Sequence, residues 1–420
     1  MSARANLLNS SFQMVKAGNI VLIGFAEALS APEVAWSLVD AGFQVAAFAR
    51  KGRGSGLRHS RYVTIFEITP PETDSDLARR DLANVLQKCA EGIEPRLLFP
   101  LDDAAVWLCS RLSLPSGWKL AGPGRAAAEL ALDKVAQVAA ARDAGFSVPP
   151  TSVVKNAEEL LGCACSFPLM LKPARAVMVN GARLIKGNNW ICADRCELET
   201  AIEQWTESYP LLVQPLISGT GEGVFGLATP KGVEAWSAHR RLRMMNPHGS
   251  GSSACASQPV SDSLRVPVET FIVKSGWIGL FMIELLRDRD GTAWFIEFNG
   301  RPWGSIALSR RQGFEYPAWA ASLTMNPQWH LNGSAPKPKE IVCRNLAREL
   351  MHLLFVLRGR KSAALKDWPR FWRSVADVLL ISPQDALYNF RRDDFRVFIS
   401  DCYFTIRDQT VKRRRRQLTR

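Results

Sequence analysis

Apolar positions along the chain change rhythm repeatedly, and each change marks an element. Residues 19–25 are a continuous apolar run of the kind a strand buried on both faces needs. Residues 31–41, opened by Ser30 and Pro32 and closed by Gly42, repeat apolar positions at helical spacing, and residues 43–48 read as a second strand. This strand–helix–strand unit continues with a helix over 76–90 and a strand over 96–100 that runs into Leu101, Asp102 and Asp103. Ligands of open α/β sheets gather at such strand ends, but an acid there is also the ordinary N-cap of the following helix, and that reading is preferred. An alanine-rich helix is expected over 125–144, with Asp133 and Lys134 inside it. Residues 167–173 form a short apolar strand carrying one cation, Lys172, before Pro173.

Further on, residues 211–217 read as a strand. Gly221, Gly223 and Gly226 then spell a formal G-x-G-x-x-G, but the pattern continues as strand to a turn at 230–232, and without a helix that motif does not indicate a dinucleotide. Two apolar strands follow, 280–286 and 294–299, separated by a segment containing Asp290 and Gly291, a strong two-residue hairpin signal. With those two residues as the turn, Glu284 falls directly opposite Glu297. Alternation then sends Glu297 and Asn299 to one face and Ile296 and Phe298 into a core. Two directly opposed carboxylates repel by about 3 to 4 kcal/mol at an intermediate dielectric, so a compensating charge is required. A divalent cation held by Glu284, Glu297 and the Asn299 carbonyl oxygen would supply it, and an all-oxygen set suits Mg²⁺.

Composition narrows the class. The 420 residues are 47% hydrophobic, enough for several cores, and carry a formal charge of +13. Residues 337–420 hold 20 Lys and Arg against 9 Asp and Glu, which leaves only +2 for the rest, so basicity belongs to the C-terminal segment. Nine cysteines without a C-x-x-C pair read as reduced thiols of a cytoplasmic protein, and no apolar run is long enough for a membrane span. His239, Arg240, Arg241 and Arg243 precede a loop rich in glycine and serine over 247–253, a combination suited to an anion. After a linker at 332–339, a helix with an apolar stripe is expected over 346–357, then a basic, aromatic segment over 368–380. The latter is expected to pack on the body in preference to a membrane interface, and Lys412 to Arg416 to form a solvated tail in preference to a nucleic-acid contact.

The strand Met282-Ile283-Glu284, followed by Phe295 to Arg301 and by Trp303-Gly304-Ser305, resembles the metal-binding core of ATP-grasp enzymes, most like the carbamoyl-phosphate-synthase large-chain branch. The resemblance covers about residues 19–325. It implies an α/β (α+β) chain: a Rossmann-like pre-ATP-grasp domain (1–124), two ATP-grasp subdomains (125–210 and 211–330), and a basic, mainly helical extension (331–420). It further implies a carboxylate–amine (or thiol) ligase that uses ATP and Mg²⁺ (or Mn²⁺) and passes through an acyl phosphate, with small carboxylate and amine substrates and homo-oligomerisation left open. Lys134 and Lys172 are then the phosphate lysines, Gln214 and Ile217 the adenine contacts, and Glu222 the ribose contact. Glu284, Glu297 and Asn299 hold the metal, and Arg301 contacts the transferring phosphoryl group. Arg240 or Arg241, with Ser250 and Ser252, are assigned to the acid substrate. The loop 174–182, with a single glycine, departs from the glycine-rich flap of the family, and Arg175 and Lys186 are not assigned to it. A non-catalytic ATP-binding protein docking through its basic C-terminal segment is the alternative.

Overall fold

A computed structural model describes residues 18–418 except 90–92, 164, 165, 206–208, 250, 332, 334 and 338. The first body is a five-stranded parallel sheet of β1 (Asn19–Gly24), β2 (Gln44–Arg50), β3 (Val63–Ile68), β4 (Ile93–Pro100) and β5 (Trp118–Leu120), in the order β3-β2-β1-β4-β5. Crossover helices Ala31–Asp40 and Ser75–Lys88 cover opposite faces, as a doubly wound sheet requires.

A second sheet is antiparallel and four-stranded: β6 (Ser152–Val154), β7 (Leu169–Pro173), β10 (Trp190–Cys192) and β11 (Leu211–Pro215). Between its strands the chain makes a separate hairpin, β8 (Met178–Asn180) with β9 (Arg183–Ile185). The third sheet has seven strands: β12 (Thr220–Thr229), β13 (Gly232–Met244), β14 (Ser252–Gln258), β15 (Gly279–Arg287), β16 (Ala293–Asn299), β17 (Val342–Arg344) and β18 (Asp385–Leu387), ordered β16-β15-β12-β13-β14-β17-β18. One face of this sheet packs through Phe225, Leu227 and Met282 toward the parallel-sheet core and Trp303. The other packs through Val224, Ile283, Phe295 and Phe298 against helix Asp262–Ser275.

Several expectations change. The alanine-rich segment is two helices, Arg125–Leu132 and Lys134–Asp143. Asp133 is extended and caps the second by accepting from the N–H groups of Val135 and Ala136, so Lys134 stands at a helix start and not inside one. Strand β11 pairs with β7 and β6, so it belongs to the second sheet and the chain crosses to the third only after Pro215. The segment after 331 is mainly helical, as expected, and its two three-residue strands β17 and β18 extend the third sheet beyond β14. Helix Leu346–Leu357 forms as expected, and Phe371–Leu379 is shorter than the segment predicted. No helix among the described residues is long and apolar enough to cross a membrane, and the described cysteines are free thiols. Lys412 to Arg416 continue the terminal helix Phe395–Leu418, and their side chains lie outside the described ones.

A candidate nucleotide and metal site between two sheets

Glu284 and Glu297 are register partners, as the sequence predicts, but not for the reason it suggests. The connection is wider than a two-residue turn: Asp288 N–H donates to the Thr292 carbonyl, and Gly291 takes a left-handed φ of +85°. This puts Arg287 opposite Ala293 and Leu285 opposite Phe295. One extra residue, Ile296, then bulges out and restores the pairing of Glu284 with Glu297 and Met282 with Asn299. The bulge also decides which side chains are core: Phe295 and Phe298 are buried and Ile296 only partly so, which corrects the alternation expected for Ile296.

Strand β16 is a sheet edge whose open backbone is satisfied by a residue that the sequence reading passed over. Gln137 Nε2 donates to the Phe298 carbonyl at 3.1 Å and its Oε1 accepts from the Phe298 N–H at 3.0 Å, while Phe295 N–H donates to Ser147. The clamp docks helix Lys134–Asp143 on the strand that carries Glu297. Lys134, three residues before Gln137, thereby places its Nζ 3.5 Å from Glu297. A glutamine at helical spacing in an alanine-rich run gives no sign of this in sequence, since its partner is 161 residues away.

Glu284 is neutralised from the other side. Arg241 on β13 reaches over β12 to place Nη2 2.7 Å from Glu284. It crosses where β12 has Gly221, at which a Cβ would lie 2.6 Å from the Arg241 Cδ. The glycine run that imitates a dinucleotide motif therefore clears a path for an arginine. Gly221→Ala is expected to displace that side chain and cost about 1 to 3 kcal/mol of stability, measured by denaturant unfolding. Unchanged stability would remove this account of Gly221. His239 faces Gly223 in the same register line; burial, with Arg241, pushes its imidazole down to about 3, so it is neutral.

Lys172 approaches from the second sheet. It pairs in register with Leu212, and Met170 with Gln214, on the face opposite the core residues Leu169, Leu171, Leu211 and Val213. Burial, joined by Lys134, lowers its ammonium to about 8, with Glu297 and Glu284 opposing. Gln214 is buried and donates to Thr151 at 2.8 Å; Ile217 is half-buried just beyond it. Arg301 follows β16 and donates through Nε to Asp103 at 2.6 Å. Burial raises the Asp103 carboxyl, but Arg301, Lys186 and Lys134 outweigh it and hold it below the usual range. Asp102, by contrast, caps helix Asp103–Cys109 by accepting from Ala105 and binds Arg50, so the two neighbouring acids divide the roles.

Other placements depart from the expectations. Arg240 is exposed and pairs in register with Glu222, on the sheet face opposite Glu284, because it alternates with Arg241. Glu222, assigned to the ribose, alternates to the face opposite Glu284 and is held there bidentately by Arg287, at 2.9 and 2.8 Å. Ser250 lies outside the described residues; Ser252 is buried at the start of β14. Arg175 pairs with Asp133 and Glu129, and the β8–β9 hairpin rests on the first body, with Ala176, Val177 and Leu184 buried in its core. A cavity of about 700 Å³ opens beside Arg241, walled by Gly221, Met244 and, from the extension, His352, Trp368 and Arg373.

Two carboxylates and the Asn299 amide on one face, with lysines from two other elements facing them, form an oxygen donor set that fits a magnesium ion next to a phosphate chain. No protein-family model and no curated protein sequence matches the chain. Solved structures do. The L-amino acid ligase from Bacillus licheniformis superposes with a TM-score of 0.56 at 15% identity, covering 76% of this chain and 78% of that one. The N5-carboxyaminoimidazole synthetase from Staphylococcus aureus, complexed with ADP, gives 0.56 at 14% identity over 79% and 83%. The biotin carboxylase domain of the Hydrogenobacter thermophilus 2-oxoglutarate carboxylase, with MgADP and bicarbonate, gives 0.58 at 16% identity over 78% and 74%. The chain has the ATP-grasp fold, with a Rossmann-like N-terminal body.

Proposed function

We propose that the protein is an ATP-dependent ligase that phosphorylates a carboxylate to an acyl phosphate and passes the acyl group to an amine, releasing ADP and phosphate. The observation that carries this reading is the register opposition of Glu284 and Glu297, with Asn299 on their face and Lys134 and Lys172 converging on them. Glu284, Glu297 and Asn299 would hold Mg²⁺, which supplies charge neutralisation for the transferring phosphoryl group. Lys134 and Arg241 now neutralise the two glutamates; with the cation bound, Lys134 serves the phosphate chain and Arg241 the acid substrate. Lys172, a mobile point charge on a fixed strand, binds phosphate oxygens. Gln214 and Ile217, where the chain leaves the second sheet, take the adenine. Arg301, held by Asp103, stabilises the charge that develops on the acyl phosphate oxygens. No covalent nucleophile on the protein is needed.

The lowered ammonium of Lys172 gives this reading a pH signature. The folded protein loses that proton near pH 8, and the unfolded chain only near 10.5, so between those values the unfolded state binds more protons and folding stability rises with pH. Nucleotide affinity moves the other way, because a neutral amine no longer attracts phosphate. Titration calorimetry with Mg-ADP is expected to show affinity falling about tenfold per pH unit above 8, and Lys172→Met to be weak at every pH. Affinity independent of pH from 7 to 9.5 would remove Lys172 from the phosphate site, and absence of Mg-ADP binding at pH 7 would refute the nucleotide assignment.

A further inference from the structure

Arginines converge where the third sheet meets the C-terminal extension, and Arg348 differs from its neighbours there. Arg241 is paired with Glu284. Arg243 and Arg344 both bind Glu349, whose side chain is wholly buried, and Arg344 also holds Asp385 at 2.9 Å. Arg348, on helix Leu346–Leu357, has no carboxylate within 4.0 Å among the described residues; its Nη1 donates only to the neutral Ser252 carbonyl, at 3.1 Å. The acid whose field it feels, Asp401, is taken by Asn389 at 3.0 Å, and burial pushes that carboxyl up toward its neutral form. A half-buried guanidinium with no carboxylate in reach is a ready partner for an anion.

Two more polar groups at this place lack partners. The Arg241 Nε is buried without an acceptor, and Ser253, next to the carbonyl that Arg348 binds, is fully buried with its hydroxyl unpartnered. Gly251 lies against the guanidinium, where a Cβ would be 2.9 Å from the Arg348 Nη1. The chain enters helix Leu346–Leu357 beside this segment: Asn345 N–H donates to the Ser253 carbonyl.

We propose that Arg348 and Arg241, with the Ser253 hydroxyl, form a carboxylate subsite for a second acidic group on the substrate, so that the acid this ligase activates is at least dicarboxylic. The inference rests on the ligase reading for what happens at the first carboxylate. Arg241 joins the subsite when Glu284 is neutralised by the cation, which makes binding of the acid stronger once Mg-nucleotide is in place. Arg348 stands outside the stretch that resembles the ATP-grasp core, so the extension supplies the selectivity while the fold supplies the nucleotide chemistry.

The test is thermal melting of the full chain and of Arg348→Met, with and without Mg-ADP, against malonate, succinate and glutarate, with acetate and inorganic phosphate as controls. For the wild type, at least one dicarboxylate is expected to raise Tm by about 3 °C or more, and by more with Mg-ADP, while acetate does nothing. Arg348→Met is expected to lose that rise, keep the rise from Mg-ADP, and melt no lower than wild type when unliganded, since a half-buried charge with no carboxylate partner has been replaced by an apolar side chain of similar length. A lower unliganded Tm for the variant would assign Arg348 a packing role and overturn the proposal. So would equal dicarboxylate responses in the two proteins, no dicarboxylate response, or a response to phosphate alone. A wild type that ignores Mg-ADP but answers dicarboxylates keeps the subsite and refutes the ligase reading instead.

Discussion

Replacing Glu297 by Gln is expected to lower Mg²⁺-dependent nucleotide affinity and any ADP-forming activity by about 100-fold or more, with little loss of folding stability. The asymmetry follows from what surrounds the side chain. Glu297 faces another carboxylate across the ladder, and its only ion pair among the described residues is a 3.5 Å contact with a partly exposed Lys134. An amide relieves the repulsion with Glu284 and gives up a weak pair, so the unliganded protein gains about what it loses. Function has no such balance, because one anionic oxygen ligand disappears from the set. Calorimetry with Mg-ADP alongside thermal melting separates the two effects. A variant that binds Mg-ADP like the wild type would take Glu297 out of the site. One that melts far lower would mean that Lys134–Glu297 is a structural pair.

The opposite balance is expected at Glu349. Its carboxylate is inaccessible and lies between Arg243 of β13 and Arg344 of β17, so it ties the extension to the sheet. Glu349→Ala leaves two guanidinium groups beside Arg348 with one fewer acid among them, and removing a partner from a buried ion network costs about 3 to 5 kcal/mol. The loss is expected first in the extension: strand β17 and helix Leu346–Leu357 should loosen before the second sheet and the rest of the third melt. In urea this appears as an early transition absent from the wild type, with faster proteolytic cutting after residue 331 and Mg-ADP binding retained at low denaturant. A single unshifted transition would show that the arginines find other partners and that the extension does not depend on this acid.

These two glutamates also mark how far the sequence could be read. Glu297 was legible because its partner is thirteen residues away through one hairpin, and alternation fixes the face. Even there the agreement hid two offsetting details, a wider loop and the Ile296 bulge, and the bulge moved Phe295 into the core in place of Ile296. The β13 arginines were legible only as a cluster; which one reaches the site depends on strand parity, and parity sends Arg240 to the outer face and Arg241 over Gly221 to Glu284. Gln137, Glu349 and Arg348 were illegible. Each acts through a partner more than ninety residues distant, or, for β17, through a strand of three residues inserted into a sheet begun over a hundred residues earlier. Local rhythm reports neither. In the parallel sheet β1, β2 and β4 and the two crossover helices were readable from their apolar runs and helical spacing, whereas the edge strands β3 and β5 were not anticipated.

The measurement closest to the central claim is ADP release by the purified chain given Mg-ATP, an amine pool and a carboxylate pool that includes dicarboxylates, run beside Glu297→Gln. The account predicts ADP formation that requires both pools, is absent from the variant, and narrows to an acid with two carboxylates when the pool is divided. ADP release that ignores the carboxylates, or that survives in Glu297→Gln, would contradict it.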